Sequence, residues 1–267
     1  MRNFFFNKNF LEVHTQNRLS ILAACEDPET IATYELQGIK WPLPQTGQMW
    51  LEYELLTNPD YEGVFVISTS YREEPNPIDG RHDIIFPMFE FESKGTMNDL
   101  IQLLKDLNLY LGFAKNEGEI TTKKYLDVAA DLNTQKLSCR DENKINNMYN
   151  SPVVLLTDFP ENTSPFWNMK RYPGNEITKK VDVIIGGMET MGGFERECDV
   201  DVMRNSFYSI SNREYAKRLY DQFGASRVKK ELENFLSLPM FPRYGAGIGF
   251  TRLLKNYKKF VQNKRLK

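Results

Sequence analysis

The sequence predicts an α+β domain in which helices flank an antiparallel or mixed sheet. Three observations lead to this fold class. Two β-branched and aromatic runs are separated by a loop rich in proline and glycine, which is typical of a hairpin. The helical patterns come in groups, and the regular strand–helix–strand alternation of a doubly wound fold is missing. Connections by hairpins and by longer loops, rather than by single crossover helices, favour an antiparallel or mixed sheet over a parallel one.

Three strands are predicted in the N-terminal part. Residues 10–15 alternate between apolar and polar side chains, as a half-buried strand does. Residues 63–70 and 84–92 form the two arms of a long hairpin. Because alternate side chains of a strand point to the same face, Phe86 and Glu90 share one face of the second arm. A carboxylate on a face made otherwise of large apolar groups needs a partner.

A packing helix is predicted over residues 96–113. Leucine and isoleucine recur there at helical spacing, and Thr96 and Asp99 are placed as a capping pair. The stretch 114–150 is polar and irregular except for one short helix within residues 121–132. We interpret this stretch as an insertion or a mobile region.

The C-terminal part returns to regular structure. Gly224 separates two helical patterns, because glycine commonly ends a helix. The predicted elements are strands at 152–157 and 181–185, helices at 212–223 and 226–236, and a glycine-rich strand at 245–250 that leads into a further helix.

The composition is that of an ordinary globular protein. The chain has 267 residues, of which 41% are hydrophobic, and its formal net charge is -2. No apolar run approaches the roughly 20 residues of a membrane-spanning helix, and the N-terminus lacks a signal-peptide pattern. The three cysteines are widely spaced, which fits neither a disulfide framework nor a four-ligand zinc site. We therefore expect a cytoplasmic protein that contacts no membrane.

The glycine-rich strand allows two interpretations. Its G-x-G-x-G spacing differs from the G-x-G-x-x-G of a dinucleotide-binding turn. Glycine at every second position leaves one strand face bare, so that a flat ligand can lie on the backbone, or a helix can pack there instead. Arg252 follows the strand, where its guanidinium could hold a phosphate.

The hairpin loop collects cationic side chains. Arg72, Arg81 and His82 lie around it, and such a group either grips a triphosphate or forms surface ion pairs that contribute little. Phe86 and Glu90 follow directly, and an aromatic face with a buried carboxylate favours a pocket for a nucleotide and an amine.

Two acidic residues are spaced seven apart, and an arginine follows after seven more. Asp182 and Glu189 could form a hard-oxygen site for Mg²⁺ that bridges phosphates, and Arg196 could neutralise an organic carboxylate. The alternative is that a strand aspartate and a loop glutamate are simply solvated.

Taken in order, these segments resemble class II aminoacyl-tRNA synthetases. FLEVHT resembles the end of the first motif of that family, YREE through RHD to IFPMFEFE the second, and GAGIGFTRLL the third. ETMGGFERE and TGQMWLE resemble segments of the aspartyl and asparaginyl enzymes. ACEDPET, WPLPQTGQMWLEYELL and FPRYGAGIGFTR further resemble the archaeal-type asparagine synthetase related to asparaginyl-tRNA synthetase. The resemblance covers most of the chain outside 114–150.

The resemblance implies a class II antiparallel sheet and an ATP-dependent, Mg²⁺-requiring ligase. Such an enzyme activates aspartate as aspartyl adenylate, and ammonia then releases asparagine, AMP and pyrophosphate. The catalytic residues would be Arg72 at the α-phosphate and Arg252 at the terminal phosphates. The other ATP contacts implied are His82 at the terminal phosphates, Phe86 stacked on adenine, and Glu74 near the adenine or a phosphate.

The same resemblance implies the remaining ligands. Asp182 and Glu189 would carry Mg²⁺, and Arg196 would pair with a substrate carboxylate. The residues implied for the substrate amino group are Gln48, Glu90 and Glu26, the last on a loop that could close over the site. Leu51 stands where aspartyl-tRNA synthetases have a lysine for the side-chain carboxylate.

The length predicts one catalytic domain over residues 1–267 without an anticodon-binding domain, and with the near-zero charge it argues against tRNA as a partner. Aspartate, ATP and ammonia are the expected substrates.

The chain starts almost inside the first motif, and Gln16 replaces the usual proline, so the homodimer of the family is expected to be weakened. The alternatives are an asparaginyl- or aspartyl-tRNA synthetase reduced to its catalytic domain, a paralogue that acts on another acceptor, and a noncatalytic relic.

Overall fold

The computed structural model of the protein describes residues 1–15, 19–24, 26–77 and 83–265, and within them the expected α+β architecture is confirmed. Its strands are β1 (Phe10–Glu12), β2 (Thr33–Leu36), β3 (Ile39–Pro42), β4 (Gly63–Tyr71), β5 (Ile85–Lys94), β6 (Ile120–Lys124), β7 (Val153–Pro160), β8 (Ile177–Ile185), β9 (Met188–Glu195) and β10 (Arg243–Gly249). Eight of them form one sheet in the order β1-β4-β5-β10-β9-β8-β7-β6, while β2 and β3 form a separate hairpin. The large sheet is antiparallel except at its two edges, where β1 pairs with β4 and β6 with β7 in parallel.

Helices cover both faces of this sheet. They are α1 (Arg2–Phe6), α2 (Gln48–Thr57), α3 (Met97–Tyr110), α4 (Tyr125–Asp131), α5 (Cys139–Met148), α6 (Val200–Ser209), α7 (Glu214–Phe223), α8 (Ala225–Leu236) and α9 (Phe250–Arg265). The predicted capping pair is confirmed, because Thr96 and Asp99 form a capping box at the start of α3. Gly224, with φ +84°, separates α7 from α8 as expected. Among the described helices, none combines the length and apolar character that a membrane crossing requires.

The alternation of side chains along the strands separates the core from the site. Phe89 and Phe91 of β5, with Val181 and Val183 of β8, point to the face that packs on α1, α3 and α9. The opposite face carries Glu90 and Asp182, which are also buried. A second core, centred on Trp167, holds α2, α6, α7 and α8 on that opposite side. The buried carboxylates of Glu90 and Asp182 therefore lie on the sheet face opposite the first core.

The hairpin and the later strands were predicted close to their observed positions. β4 and β5 pair antiparallel from Gly63↔Ser93 to Tyr71↔Ile85. The strand predicted over residues 10–15 is shorter than expected, because β1 ends at Glu12. β9 was not predicted as a strand, since Gly192 and Gly193 lower its β-propensity, and Glu189 accordingly lies in a strand rather than in a loop.

The expectation that residues 114–150 are irregular is wrong. This stretch contributes the edge strand β6, which pairs with β7 from Ile120↔Val153 to Lys124↔Thr157, and the helices α4 and α5. The predicted short helix is α4, and its Tyr125 and Val128 pack against β7 and β8. The polar sequence is explained by position, because an edge strand and a helix with one buried residue, Ile145, expose most of their side chains. That the stretch is an insertion stays a prediction.

Candidate active site

The antiparallel register places two carboxylates in one row across the sheet, with only glycine between them. Glu90 of β5 lies opposite Gly247 of β10. Gly192 of β9 lies opposite Gly247 on one side and opposite Asp182 of β8 on the other. Directly opposed residues point to the same face, and three strand spacings of about 4.8 Å separate the two acids by ~14 Å. The two glycines thus form the floor of a trough whose two ends are acidic, and the side chains of Met88 and Glu189 reach over this floor.

A cavity of about 330 Å³ occupies this trough. Nearly all of the residues proposed from the sequence line it, and they come from α2, β5, β8, β9 and α9 and from segments that connect elements. These residues are Glu26, Gln48, Arg72, Glu74, Phe86, Glu90, Asp182, Glu189, Arg196 and Arg252. His82 lies outside the described residues. Residues more than 200 positions apart therefore meet at one site.

Glu90 obtains the partners that its apolar strand face requires. The hydroxyls of Thr46 and Ser68 donate to its two carboxylate oxygens, and the Gly47 N–H at the start of α2 donates to Oε2 at 2.7 Å. Burial raises the pKa of Glu90, although these three hydrogen bonds oppose the shift. The need for a partner was evident from the sequence, but the identity of the donors was not, because they come from other elements. Glu90 also lines the cavity.

Arg196 lies at the cavity wall with only 1% of its surface exposed. It forms a bidentate ion pair with Glu92, and its Nη2 donates to Gln48 Oε1 at 3.0 Å. The Phe194 ring lies 3.9 Å from the guanidinium carbon. Burial lowers the pKa of Arg196, but the charges of Glu92 and Glu52 reverse the shift, so the guanidinium stays cationic.

A second buried pair supports Arg196 from behind. Arg243 donates to Glu52 through Nε at 2.9 Å and Nη2 at 2.6 Å, and both side chains have no exposed surface. Asn168 donates to the same carboxylate at 2.7 Å. Arg196 Nε lies 3.5 Å from Glu52 Oε1, which joins the two pairs. Buried charges need this degree of pairing, since removing one partner leaves the other uncompensated.

Arg72 and Phe86 also line the cavity. The Arg72 guanidinium carbon lies 5.9 Å from the centre of the Phe86 ring. Arg72 Nη2 contacts Glu26 Oε2 at 2.8 Å, and the charge of Glu26 is the main reason that the pKa of Arg72 is raised. Arg72 Nε is buried and has no hydrogen-bond partner among the described residues. A buried N–H without a partner is costly, so this nitrogen is suited to an acceptor from a ligand.

A shift in strand register aims Glu189 at Asp182. The pairing Ile184↔Glu189 changes to Val183↔Met191 within one step, so β9 carries an additional residue there. A Cβ atom added at Gly192 would lie 2.8 Å from Glu189 Oε1 and 3.1 Å from Asp182 Oδ1, so both oxygens converge above this glycine. Burial raises the pKa of Asp182 to about 7, and Glu189 adds to the shift while Lys180 opposes it.

The acidic pair fits Mg²⁺. Asp182 Oδ1 is buried and lacks a hydrogen-bond partner among the described residues, and the absence of a side chain at Gly192 leaves room beside it. Carboxylate oxygens are the ligands that Mg²⁺ takes, and Mg²⁺ usually needs only one or two of them when phosphates complete its coordination. No cluster of three acidic, histidine or cysteine side chains that could hold a metal ion occurs in the described part of the chain.

Lys180 also lines the cavity, although the sequence did not predict it as a site residue. Its Nζ contacts Asp182 Oδ2 at 2.9 Å and lies 4.3 Å from the centre of the Phe159 ring. The sequence does contain an indication of this position. Residues two apart in a strand share a face, so the order Lys-Val-Asp places Lys180 beside Asp182. The sequence had not predicted that β8 begins as early as Ile177.

The glycine-rich strand is bare at only one of its three glycines. A Cβ at Gly245 would lie 1.9 Å from Glu92 Oε1, and one at Gly247 would lie 2.8 Å from Met88 Cε. Gly249 has no neighbour within 4 Å of such a Cβ and lines the cavity. Side chains of β5 therefore lie over two of these glycines, and of the two interpretations the bare strand face is found only at Gly249. Arg252 follows in α9 as predicted, and its Nη1 donates to the Glu189 carbonyl at 3.2 Å.

Comparison with known proteins agrees with this architecture. A family model described as "tRNA synthetases class II (D, K and N)" matches residues 1–258. No curated protein matches the chain. Asparaginyl-tRNA synthetase from Pyrococcus horikoshii complexed with asparaginyl-adenylate superimposes with a TM-score of 0.76 and 18% identity, over 97% of this chain and 62% of that one.

Two solved structures from Entamoeba histolytica are also similar. Its asparaginyl-tRNA synthetase, again with asparaginyl-adenylate, gives a TM-score of 0.73 at 17% identity and covers 96% of this chain and 60% of its own. Its aspartyl-tRNA synthetase gives 0.70 at 18% identity, with 96% of this chain and 52% of its own covered. The chain thus spans little more than half the length of these structures, and at such identities the likeness establishes the fold.

Proposed function

Because the chain belongs to the class II tRNA synthetases of the D, K and N group, we propose that it is an ATP-dependent, AMP-forming asparagine synthetase. It activates aspartate as aspartyl adenylate and transfers ammonia to it. The observation that carries this proposal is the trough between Glu90 and Asp182, with Arg72, Arg196 and Arg252 also in its wall. An aminoacyl adenylate has an ammonium group at its amino-acid end and a phosphate between the amino acid and the adenosine, so it needs an acidic end with cations beside it.

The ATP half of the site lies around Arg72. In the proposal Phe86 stacks on the adenine, and Arg72 donates to the α-phosphate through nitrogens that include the unpartnered Nε. Arg252 and His82 bind the terminal phosphates, and Glu74 contacts the adenine or a neighbouring phosphate. Fixed guanidinium donors stabilise the negative charge that develops as pyrophosphate leaves.

Asp182 and Glu189 hold Mg²⁺ in this proposal. The ion would supply neutralisation of the triphosphate charge and would help to align it for displacement. The convergence of Asp182 Oδ1 and Glu189 Oε1 above Gly192 supports this assignment.

The aspartate half of the site lies around Glu90 and Arg196. Glu90 and Gln48 bind the substrate ammonium group, with Glu26 closing from its loop, and Arg196 binds one of the two carboxylates. Arg196 is suited to this role because Glu92, Glu52 and Gln48 hold its plane in one orientation before the substrate arrives. Leu51 is fully buried with Leu55 and Val66, so this position adds no cation to the cavity.

The chemistry requires no nucleophilic side chain. The side-chain carboxylate of aspartate attacks the α-phosphorus, and the bond to pyrophosphate breaks. Ammonia then attacks the acyl carbon, the bond to AMP breaks, and ammonia loses one proton to solvent. The protein contributes binding, orientation and charge, which is sufficient because a mixed anhydride with AMP already has a good leaving group.

The alternative is an aminoacyl-tRNA ligase, which activates the α-carboxylate of its amino acid. Two findings support this alternative: the membership of the chain in the family, and its similarity to solved asparaginyl- and aspartyl-tRNA synthetases. The two functions differ in which carboxylate of the substrate meets the α-phosphate.

One experiment distinguishes the two functions. Purified protein is incubated with aspartate, ATP, Mg²⁺ and ammonium, with and without tRNA, and asparagine, AMP and acylated tRNA are measured. We expect asparagine and AMP in equal amounts without tRNA. Acylated tRNA without free asparagine would support the alternative instead, and pyrophosphate exchange is measured with aspartate and with asparagine as the amino acid. The absence of exchange with either amino acid would contradict both functions.

A further inference from the structure

Lys180 is a charged residue that the proposed chemistry does not use. Its side chain is 16% exposed and extends along the same face of β8 as Asp182, whose side chain is 9% exposed. The Phe159 ring of β7 supports the ammonium group from the other side. Lys180 also lies between the main cavity and a second cavity of about 250 Å³, and together with Asp182 and Glu189 it lines both.

The contacts of the acidic pair are divided between two cations. Lys180 occupies Asp182 Oδ2, and Arg252 Nη1 lies 3.9 Å from Glu189 Oε2. The oxygens that converge above Gly192 are the other two, Asp182 Oδ1 and Glu189 Oε1. The pair therefore keeps its two inward oxygens for a cation, while half of its charge is already balanced by Lys180 alone. Glu142 adds a further carboxylate at the edge, where Oε2 accepts from the Glu189 N–H at 3.3 Å.

We propose that Lys180 is a built-in counter-ion that prevents the Asp182–Glu189 pair from binding a divalent cation alone, so that the pair takes one only together with a polyphosphate. Two carboxylate oxygens are few for Mg²⁺, which prefers six oxygen ligands. A fixed positive charge within a few ångströms weakens the attraction further. Phosphate oxygens remove both obstacles, since they add ligands and negative charge.

This mode of binding couples the metal to the nucleotide. A cation that enters with the triphosphate can leave with pyrophosphate, because the protein ligands alone retain it poorly. Lys180 also keeps the inward oxygen of Asp182, Oδ1, in place when no metal is bound, because it holds Oδ2. The inference rests on the proposed metal role of Asp182 and Glu189, but not on the identity of the final product.

The test compares wild-type protein with Lys180→Met, in which a side chain of similar length keeps the contact with Phe159 but carries no charge. Lys179→Met is the matched control, because it removes the same charge from the neighbouring position of β8, where Lys179 pairs with Glu195 rather than with Asp182. Binding of Mn²⁺ is followed by electron paramagnetic resonance at about pH 8.5, so that the carboxylates are largely ionised. Each protein is measured without nucleotide and with a non-hydrolysable ATP analogue.

We expect wild type and Lys179→Met to bind Mn²⁺ weakly without nucleotide and tightly with the analogue. Lys180→Met should bind Mn²⁺ without nucleotide with a Kd lower by at least about tenfold. The double variant Lys180→Met/Asp182→Asn should lose that gain, which locates the new binding at this pair. Thermal melting identifies a variant that does not fold, and Lys180→Gln then takes the place of Lys180→Met.

Two results would overturn the role of Lys180. One is tight Mn²⁺ binding by nucleotide-free wild type. The other is that Lys180→Met binds Mn²⁺ no better than wild type, or that the double variant Lys180→Met/Asp182→Asn binds Mn²⁺ as tightly as Lys180→Met. A different result bears on the proposed function. If Mn²⁺ remains absent from the complex of wild type with the ATP analogue, Asp182 and Glu189 are not the metal ligands, and the counter-ion role falls with them.

Discussion

Glu26 Oε2 lies 2.8 Å from Arg72 Nη2, so the arginine proposed for the α-phosphate is paired with a protein carboxylate. Glu26 was expected to recognise the substrate amino group, and that role stays a prediction. Both roles are compatible if a phosphate displaces Glu26 from Arg72, because the freed carboxylate then becomes available to an ammonium group. The pair is partly exposed, with 23% of Arg72 and 48% of Glu26 accessible, so exchange for a ligand is inexpensive.

Glu26→Gln should strengthen ATP binding and weaken aspartate binding. The neutral amide no longer competes for Arg72, so we expect the Kd for ATP to fall about threefold, as for removal of a partly exposed ion pair. The KM for aspartate should rise, because the ammonium group loses a carboxylate. Calorimetry and pyrophosphate exchange measure the two effects. Glu29→Gln is the control, since Glu29 pairs with Arg218 on the surface, and equal effects in both variants would contradict a specific role for Glu26.

Arg196→Lys should raise the KM for aspartate by tenfold or more, an effect of about 1.4 kcal/mol, while the Kd for ATP changes little. Lysine keeps the charge but loses the planar fork that binds Glu92 and Gln48 together. Substitution by alanine is less informative, because it leaves Glu92 buried without a partner.

Arg243→Lys provides the comparison for Arg196→Lys. Arg243 belongs to the same buried network but binds Glu52, and it is not among the residues that line the cavity. Its substitution should lower the melting temperature without a selective effect on aspartate. If both lysine variants raise the KM for aspartate equally, the effect arises from the network as a whole and not from contact between Arg196 and substrate.

Gly245→Ala should destabilise the protein by at least about 2 kcal/mol. Its methyl group would lie 1.9 Å from Glu92 Oε1, and Arg196 prevents that carboxylate from moving. Gly249→Ala adds the same methyl group to open space, so its unfolding free energy should stay within about 1 kcal/mol of wild type. Urea denaturation of the two variants tests this, and equal stabilities would show that Glu92 can leave its observed position.

Glu195→Gln should reduce stability in a way that depends on pH. Burial acts to raise the pKa of Glu195, but the Met97 N–H and the ammonium groups of Lys179 and Lys170 more than offset it, so the pKa is lowered. A lowered carboxyl pKa means that the ionised group stabilises the fold above its unfolded pKa of about 4.3. That contribution is lost as the pH falls through the lower, folded pKa.

The unfolding free energy of Glu195→Gln should therefore lie about 1–3 kcal/mol below wild type at neutral pH, and the gap should close below about pH 4. Chemical denaturation across this range measures it. Glu35→Gln, at an exposed position of β2, should stay within about 0.5 kcal/mol throughout. A gap that persists unchanged in acid would show that the carboxylate charge is not what stabilises this region.

The sequence was informative wherever a local pattern has a single structural solution. Alternating aromatic residues predicted β5 and the face on which Phe86 and Glu90 lie, and the Thr96–Asp99 pair predicted the start of α3. It was less informative where position in the sheet decides the outcome. β6 and β9 were not predicted, because a polar edge strand and a glycine-containing strand become strands through their neighbours rather than through propensity.

The sequence by itself determined which residue types were available, their order, and the family to which they point. Only the tertiary structure decided how they pair: Glu92 with Arg196 and Glu52 with Arg243, 104 and 191 positions apart. It also decided that Gly192 separates Glu90 from Asp182 and that Lys180 accompanies Asp182. The physical reason is that a side chain's partner is set by strand register and by burial, and both arise only when distant segments pack together.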